Sequence, residues 1–392
     1  MTVASDLLAL VGSFVAIDSV NPALVPGAPG ETAFARSVQA WCEAREIETT
    51  WLEATPGRPS VLARVPGTGG GRSLMFNAHL DTVGTSGMTA PHDPRLEGGR
   101  LHGRGSMDMK GSVAACLVAL ERLRDEARSG GALAGDVLFA AVADEEHASI
   151  GTREVLEHVR SDGAAIDAAV VTEPSDLELH VAHRGFAIVE VVVHGLASHT
   201  SQPDRGANAV RAMGRLLGAV ERLDASLRVL PPHALLGHGS MQPILLDGGR
   251  ELFTTPDRCR VTLERRTLPG EGQRDVLREV DEVIALAIDG DARLSADVTL
   301  EAIREPFEVE SDVPIVRRVA QAVAHRTGAA AVLAGAPYWM DAALYAAAGI
   351  PKVVCGPIGG GIHAADEWVD VTSIETLTHV LVDVARGWCV AP

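Results

Sequence analysis

The stretch Asp136-Val137-Leu138-Phe139-Ala140-Ala141-Val142-Ala143-Asp144-Glu145-Glu146 decides how this chain is read. Residues 137–143 are wholly apolar, which suits a strand buried on both faces. The run then stops at three adjacent carboxylates. Neighbouring acids repel one another and resist desolvation, so the mouth of a core strand is a poor place for them without a counter-charge. A metal ion, or a proton to be moved, supplies the reason.

Other segments repeat the pattern. Residues 74–78, apolar but for Asn77, lead into His79-Leu80-Asp81, and 168–171 lead into Thr172-Glu173-Pro174. Residues 352–355 lead into a glycine loop with His363 and then Asp366-Glu367. Helical patterns fall between these runs, at 110–124 and 151–159, and again at 314–327 and 342–348. Strands alternating with helices predict an α/β layer around a mostly parallel sheet. Near Arg184 the pattern changes. Residues 186–194, 244–246 and 260–264 read as antiparallel strands, with helices over 207–223 and 273–287. This order predicts an inserted α+β sandwich. The expected organisation is a discontinuous α/β domain, 1–183 and 304–392, interrupted by a second domain at 184–303. A length of 392 residues agrees with two cores.

Composition narrows the partners. A net charge of −18 argues against nucleic acid or an anionic membrane surface. No run approaches the apolar length needed to span a bilayer. The apolar stretch 7–17 has no basic residue before it and is flanked by Asp6 and Asp18, so it reads as an opening helix rather than a leader. The five cysteines form neither a close pair nor a metal knuckle, which fits a reducing cytoplasm.

The candidate site residues have ordinary readings when taken singly. His79 and Asp81 form either a hydrogen-bonded pair at a loop entrance or a metal ligand with the carboxylate that orients it. Asp108, in the Gly-flanked loop 103–111, is either a helix cap or a ligand. Together they are more specific. His79, Asp108, Glu145, Glu146, Glu173 and His363 all follow predicted strands of the α/β layer, where open sheets place their ligand crevice. Two histidines with several carboxylates suit zinc, cobalt or manganese better than magnesium or calcium. Two divalent ions would face the negative charges of Asp108, Glu146 and Glu173, leaving one glutamate outside the metal set to move protons.

These segments resemble the family of co-catalytic zinc amidohydrolases and exopeptidases that includes acetylornithine deacetylase, succinyl-diaminopimelate desuccinylase, aminoacylase and glutamate carboxypeptidase. The resemblance covers nearly the whole chain with its motifs in order. It implies a metallopeptidase-like catalytic domain with an inserted lid and dimerisation domain, two metal ions (zinc first) and a homodimer. It further implies that Asp108 bridges the ions, that His79 and Glu173 bind one, and that Glu146 and His363 bind the other. Glu145 would be the general base and Asp81 the orienter of His79. The segment 195–203 resembles the lid motif whose histidine, here His199, reaches the partner's active site in dimeric members and stabilises the oxyanion there. The segment 264–270 resembles the one whose arginine holds a substrate carboxylate, here Arg266, with Arg265 as the alternative.

Several positions depart from the family pattern. Phe253 stands where many members have asparagine, Ser112 and Ala148 replace glycines, and Trp339-Met340-Asp341 stands where Thr-Asp is frequent. The expected substrate is a small amide, an N-acyl amino acid or a related carboxylate-bearing compound. A carboxypeptidase or dipeptidase acting on short peptides is the alternative. A non-catalytic binding protein on the same fold would be expected to lack Glu145 or a ligand. Asp144 is left without a role.

Overall fold

The computed structural model describes residues 3–163 and 165–391. In chain order its main elements begin with α1 (Val3–Val15), α2 (Thr32–Glu43), β1 (Glu48–Leu52), β2 (Ser60–Val65) and β3 (Leu74–His79). Next come α3 (Gly111–Glu126), β4 (Val137–Val142), α4 (Ile150–Ser161), β5 (Ala169–Val171) and β6 (Leu179–His183). Then follow β7 (Gly185–His194), α5 (Ala209–Val229), β8 (Ser240–Gly248), β9 (Arg258–Thr267), α6 (Gln273–Ile288) and β10 (Ser295–Arg304). The chain closes with α7 (Pro314–Thr327), α8 (Ala342–Ala347), β11 (Lys352–Val354) and α9 (Val371–Trp388). It divides into two compact units. One comprises Met1–Val181, Val309–Ala334 and Met340–Pro392, and the other Ala182–Glu308 and Gly335–Trp339.

The first unit is built on a mixed sheet in the order β1-β2-β4-β3-β5-β11-β6. Its four central strands, β4, β3, β5 and β11, are parallel to one another, while β1, β2 and β6 pair antiparallel at the flanks. Every residue of β3, β4, β5 and β11 is buried, Asn77, His79 and Lys352 among otherwise apolar side chains. Helix α3 is buried over most of its surface because α1 and α9 pack against it. Four short strands, Arg95–Glu97, Arg100–His102, Gly359–Gly360 and Trp368–Asp370, form a separate small sheet. It ties the long loop after β3 to the loop after β11.

The second unit is an antiparallel sheet in the order β8-β9-β7-β10, with α5 and α6 covering one face. Alternate residues of β7 and β9, among them Val189, Val191, Val261 and Leu263, meet Met213 and Leu216 of α5 and Val280 of α6. Strand β8 lies at the sheet edge and leaves Ile244, Leu245 and Leu246 exposed. Elements α2 and β1 and the strand β10 lie outside the sequence-based expectations. Sequence periodicity did not single out these half-buried segments.

Candidate active site and metal centre

The parallel centre of the sheet explains why distant residues meet. Because β4, β3, β5 and β11 run in the same direction side by side, their C-terminal ends lie at one edge. His79 ends β3, Glu145 and Glu146 follow β4, Glu173 follows β5, and the loop after β11 returns with His363. The exit of β11 passes so close to Glu173 that a Cβ on Gly356 would lie 2.0 Å from the Glu173 carbonyl oxygen, so only glycine fits there.

Asp108 comes from the turn before α3. Its two oxygens face different histidines: Oδ1 lies 2.9 Å from His79 Nε2, and Oδ2 lies 3.3 Å from His363 Nε2. His363 Nε2 also lies 3.1 Å from Glu146 Oε2, and His79 Nε2 lies 3.8 Å from Glu173 Oε1. Two overlapping groups, His79-Glu145-Glu173 and His79-Asp108-Glu146, each bring ligand atoms within 4.8 Å of one another. The six residues expected to meet are therefore together in the first unit. His199 and Arg266 belong to the second.

Electrostatics set this cluster apart from a structural ion-pair network. Burial, reinforced by Glu173 and Asp341, holds the Glu145 carboxyl well above its ordinary range. Glu173 is held high by its own burial together with Asp108 and Asp341, despite the opposing pull of His79. Burial and the Asp108 charge also raise Glu146. Burial disfavours a charged His79, yet the Glu173 and Asp108 carboxylates outweigh it and hold the imidazole well above its usual range. Hydrogen bonds to Asp108 and Glu146 lift His363 to about 10. Burial opposes ionisation of Asp108, but bonds from His363 and His79 keep its carboxyl well below the ordinary value. Glu173 Oε1 is buried without a hydrogen-bond partner among the described residues. Such an oxygen is costly to leave bare, and cations would satisfy it while relieving the crowding of like charges. The donor set of imidazole and carboxylate therefore fits divalent ions of the zinc type.

Asp81 departs from its expected place. Its backbone oxygen, not its carboxylate, meets His79 Nδ1, at 2.9 Å, while the carboxylate stays 3.7 Å from that nitrogen. The physical reason is that β3 ends at His79, so residue 81 lies beyond the strand and the shared-face rule no longer applies. The carbonyl contact still fixes the ring's orientation, with Nδ1 donating to the Asp81 oxygen and Nε2 turned toward Asp108 and Glu173, where a metal ion would take the place of the Nε2 proton. The Asp81 carboxylate instead accepts the backbone N–H of Glu145 at 3.0 Å and of Glu146 at 3.1 Å.

Glu367, noted in the sequence only as part of a second acidic pair, organises the Asp108 turn. Its carboxylate is buried and accepts from Arg104 Nη1 at 2.6 Å and from the backbone N–H groups of Gly105, Met107 and Asp108, each at 3.0 Å. Asp341 is fully buried, accepts from Thr152 Oγ1 at 2.5 Å, and is raised to about 6, mainly by burial.

In the second unit His199 lies on an exposed loop, its Nδ1 2.8 Å from Ser201 Oγ. The loop is tied to the Phe253 segment by Thr200 N–H donating to the Phe253 oxygen at 2.9 Å. Phe253 is 70% exposed and has a left-handed φ of 67°. The two adjacent arginines separate clearly. Arg265 is buried and bonds both oxygens of Glu279, at 2.8 and 3.1 Å, and also Glu271. Arg266 is partly exposed, donates through Nε to Glu264 at 2.8 Å, and lies 5.3 Å from the Phe186 ring centre.

A parallel sheet whose C-terminal edge gathers two histidines and four close carboxylates defines a metallohydrolase scaffold. Residues 75–387 match peptidase family M20/M25/M40, and the chain belongs to that family. It is a metal-dependent hydrolase of amide bonds. A similar curated protein is the N-formyl-4-amino-5-aminomethyl-2-methylpyrimidine deformylase of Halalkalibacterium halodurans, 25% identical over 98% of this chain and 94% of the relative. Another is the succinyl-diaminopimelate desuccinylase of Gluconacetobacter diazotrophicus, 30% identical over 82% of each chain. Among solved structures, a dinuclear metal-binding peptidase of the same family from Bacillus subtilis superposes with a TM-score of 0.74 at 17% identity, covering 98% of this chain and 97% of that one.

Proposed function

We propose that this enzyme deacylates an N-acyl amino acid or a related amide bearing a carboxylate, using a pair of divalent metal ions. The observation that carries the proposal is the two-sided contact of Asp108, with one oxygen toward His79 and the other toward His363. This supports Asp108 as the residue shared by two ions, with His79 and Glu173 on one and Glu146 and His363 on the other. When bound, the ions supply a Lewis acid for the scissile carbonyl and water acidified toward neutral pH.

The chain's own residues perform the remaining tasks. Glu145 is the proton carrier. It stands beside the ligands, remains partly exposed, and has its backbone N–H held by Asp81. It takes a proton from the attacking water and returns it to the leaving nitrogen. His79 is held in one orientation by the Asp81 carbonyl. In the proposed dimer His199 serves the partner's site, donating to the developing oxyanion, and Arg266 is the residue for the substrate carboxylate. Zinc is the expected native metal, with cobalt or manganese able to replace it.

A homodimer assembled through the second unit is supported by the exposed apolar residues Ile244, Leu245 and Leu246 on the edge strand β8. A cytoplasmic setting is supported by five free, buried cysteines. Among the described residues no helix is long and apolar enough to cross a membrane.

The test is Glu145→Gln. We expect it to retain about the wild-type metal content and to lose roughly 10²–10⁴-fold in turnover, the usual scale for a general base. Near-normal turnover would remove Glu145 from that role. A panel of acetyl-, succinyl- and formyl-amino acids beside dipeptides separates the deacylase from the peptidase reading.

A further inference from the structure

The acid left unexplained by the sequence, Asp144, leads to a second set of residues. Its carboxylate is buried, and its hydrogen bonds go to residues outside the metal cluster. Oδ1 accepts from Asn21 Nδ2 at 2.9 Å and from Arg58 Nη2 at 2.7 Å. Arg58 also grips Glu31 with a two-pronged contact, Nη2 to Oε1 at 2.6 Å and Nε to Oε2 at 2.8 Å. Glu31 Oε1 in turn accepts the backbone N–H of Asp144 at 3.1 Å. The second amide hydrogen of Asn21 goes to Asp81 Oδ2 at 2.8 Å, and Asp81 carries the N–H groups of Glu145 and Glu146. Glu31, Asn21, Asp81 and Asp144 are each at most 2% exposed.

Stability alone is a poor reason for this arrangement. It buries two carboxylates, Glu31 and Asp144, around a single guanidinium, Arg58, and joins a third, Asp81, to them through Asn21. Apolar residues of similar volume commonly do as well or better. What the network does is specific. It holds Asp144 by both its N–H and its carboxylate in a left-handed conformation, φ 65°, at the point where β4 turns toward the site. It then reaches the next two peptides through Asn21 and Asp81. The four residues come from four separate places: Asn21 from the loop after α1, Glu31 from the start of α2, Arg58 from the approach to β2, and Asp144 from the end of β4.

We propose that Glu31, Arg58, Asn21 and Asp144 form a positioning brace that sets the backbone of Glu145 and Glu146 through Asp81, and so places the proton carrier. This rests on the role of Glu145 proposed above. A misplacement of about 1 Å in a catalytic group can cost on the order of 100-fold in rate.

The test uses two near-isosteric variants of the full chain, Asn21→Asp and Arg58→Lys. The first replaces the shared donor with an acceptor. The second keeps the charge and removes the fork, so it stands in if Asn21→Asp does not fold. Turnover and KM are measured at saturating zinc, bound zinc is counted, and amide hydrogen exchange is followed for the peptide spanning residues 143–149. The brace predicts a fall in kcat of roughly 10–100-fold, little change in KM or in bound zinc, and faster exchange confined to that peptide. A folded variant whose exchange there matches wild type overturns the brace, whatever its activity. So does a loss of turnover that is seen only below saturating zinc. If wild type hydrolyses none of the acyl-amino acids or dipeptides, the functional reading fails, and exchange alone still decides whether the brace holds the segment.

Discussion

Replacing Glu367 with alanine removes one carboxylate that serves four donors around the Asp108 turn. Arg104 is 2% exposed and bonds Glu367 at 2.6 Å; its other contacts are the carbonyls of Gly84 and Ala364. Breaking a buried pair by removing one partner costs about 3–5 kcal/mol, because the surviving charge stays buried. The N–H groups of Gly105, Met107 and Asp108 lose their shared acceptor as well. Water entering the vacated space recovers part of that loss, so about 3–5 kcal/mol is the working figure. A unit at the top of the 150–250-residue range moves its midpoint by about 2 °C per kcal/mol, so a fall of roughly 6–10 °C is expected. The turn also presents Asp108 to both histidines, so metal affinity should weaken by about 10–100-fold, as when an outer partner of a ligand is lost. The assays are thermal unfolding at fixed excess zinc and zinc titration against a chelator. Arg104→Met provides an internal scale. It leaves Glu367 three backbone donors and should cost less. A Glu367→Ala protein within about 2 °C of wild type, less than 1 kcal/mol on this scale, and binding zinc normally would refute the assignment of the turn to Glu367.

Arg266→Ala should raise KM by roughly 10–100-fold, the loss of one charge-assisted contact of about 1.5–3 kcal/mol, without lowering the melting midpoint; unchanged KM on every carboxylate-bearing substrate would count against its role. The neighbouring Arg265→Ala should behave oppositely, unfolding at a lower temperature because Glu279 is left buried without its partner. Leu246→Asp on the exposed edge strand should move the protein from dimer to monomer in sedimentation; a dimer of wild-type stability would place the interface elsewhere. Chelation should lower the midpoint, since ligand at about 1,000 times its dissociation constant stabilises by about 4 kcal/mol; an identical midpoint with and without metal would speak against a resident ion.

Most of the site was legible because each residue announces itself against its own background. Glu145, Glu146 and Glu173 interrupt apolar runs, and a chain has little reason to end core strands in acids without something for them to face. Parallel strands then convert that local pattern into a place, since their C-terminal ends share one edge. The separation of Arg265 from Arg266 was not legible. Alternation on β9 puts one side chain inward and the other outward, but the partner that makes an inward arginine tolerable, Glu279, lies on α6 and gives no local sign.

Asp81 and Asp144 show where such reading stops. The two-residue rule that placed the Asp81 carboxylate behind His79 holds only while the strand continues, and β3 ends at His79 itself. Beyond that point the choice of partner depends on what distant segments deliver. Here they deliver Asn21 from near the N-terminus, with Arg58 and Glu31 behind it. A buried acid can be recognised from sequence as anomalous, but whether a cation, a metal or a set of N–H groups answers it is a long-range fact. The three adjacent acids after β4 are answered in different ways: Asp144 by a guanidinium and an amide, Glu146 by His363 beside Asp108, and Glu145 by no cation of its own. This supports Glu145 as the proton carrier proposed above, and it is why the perturbation that matters most for turnover is predicted at Glu145 and at the proposed brace behind its backbone.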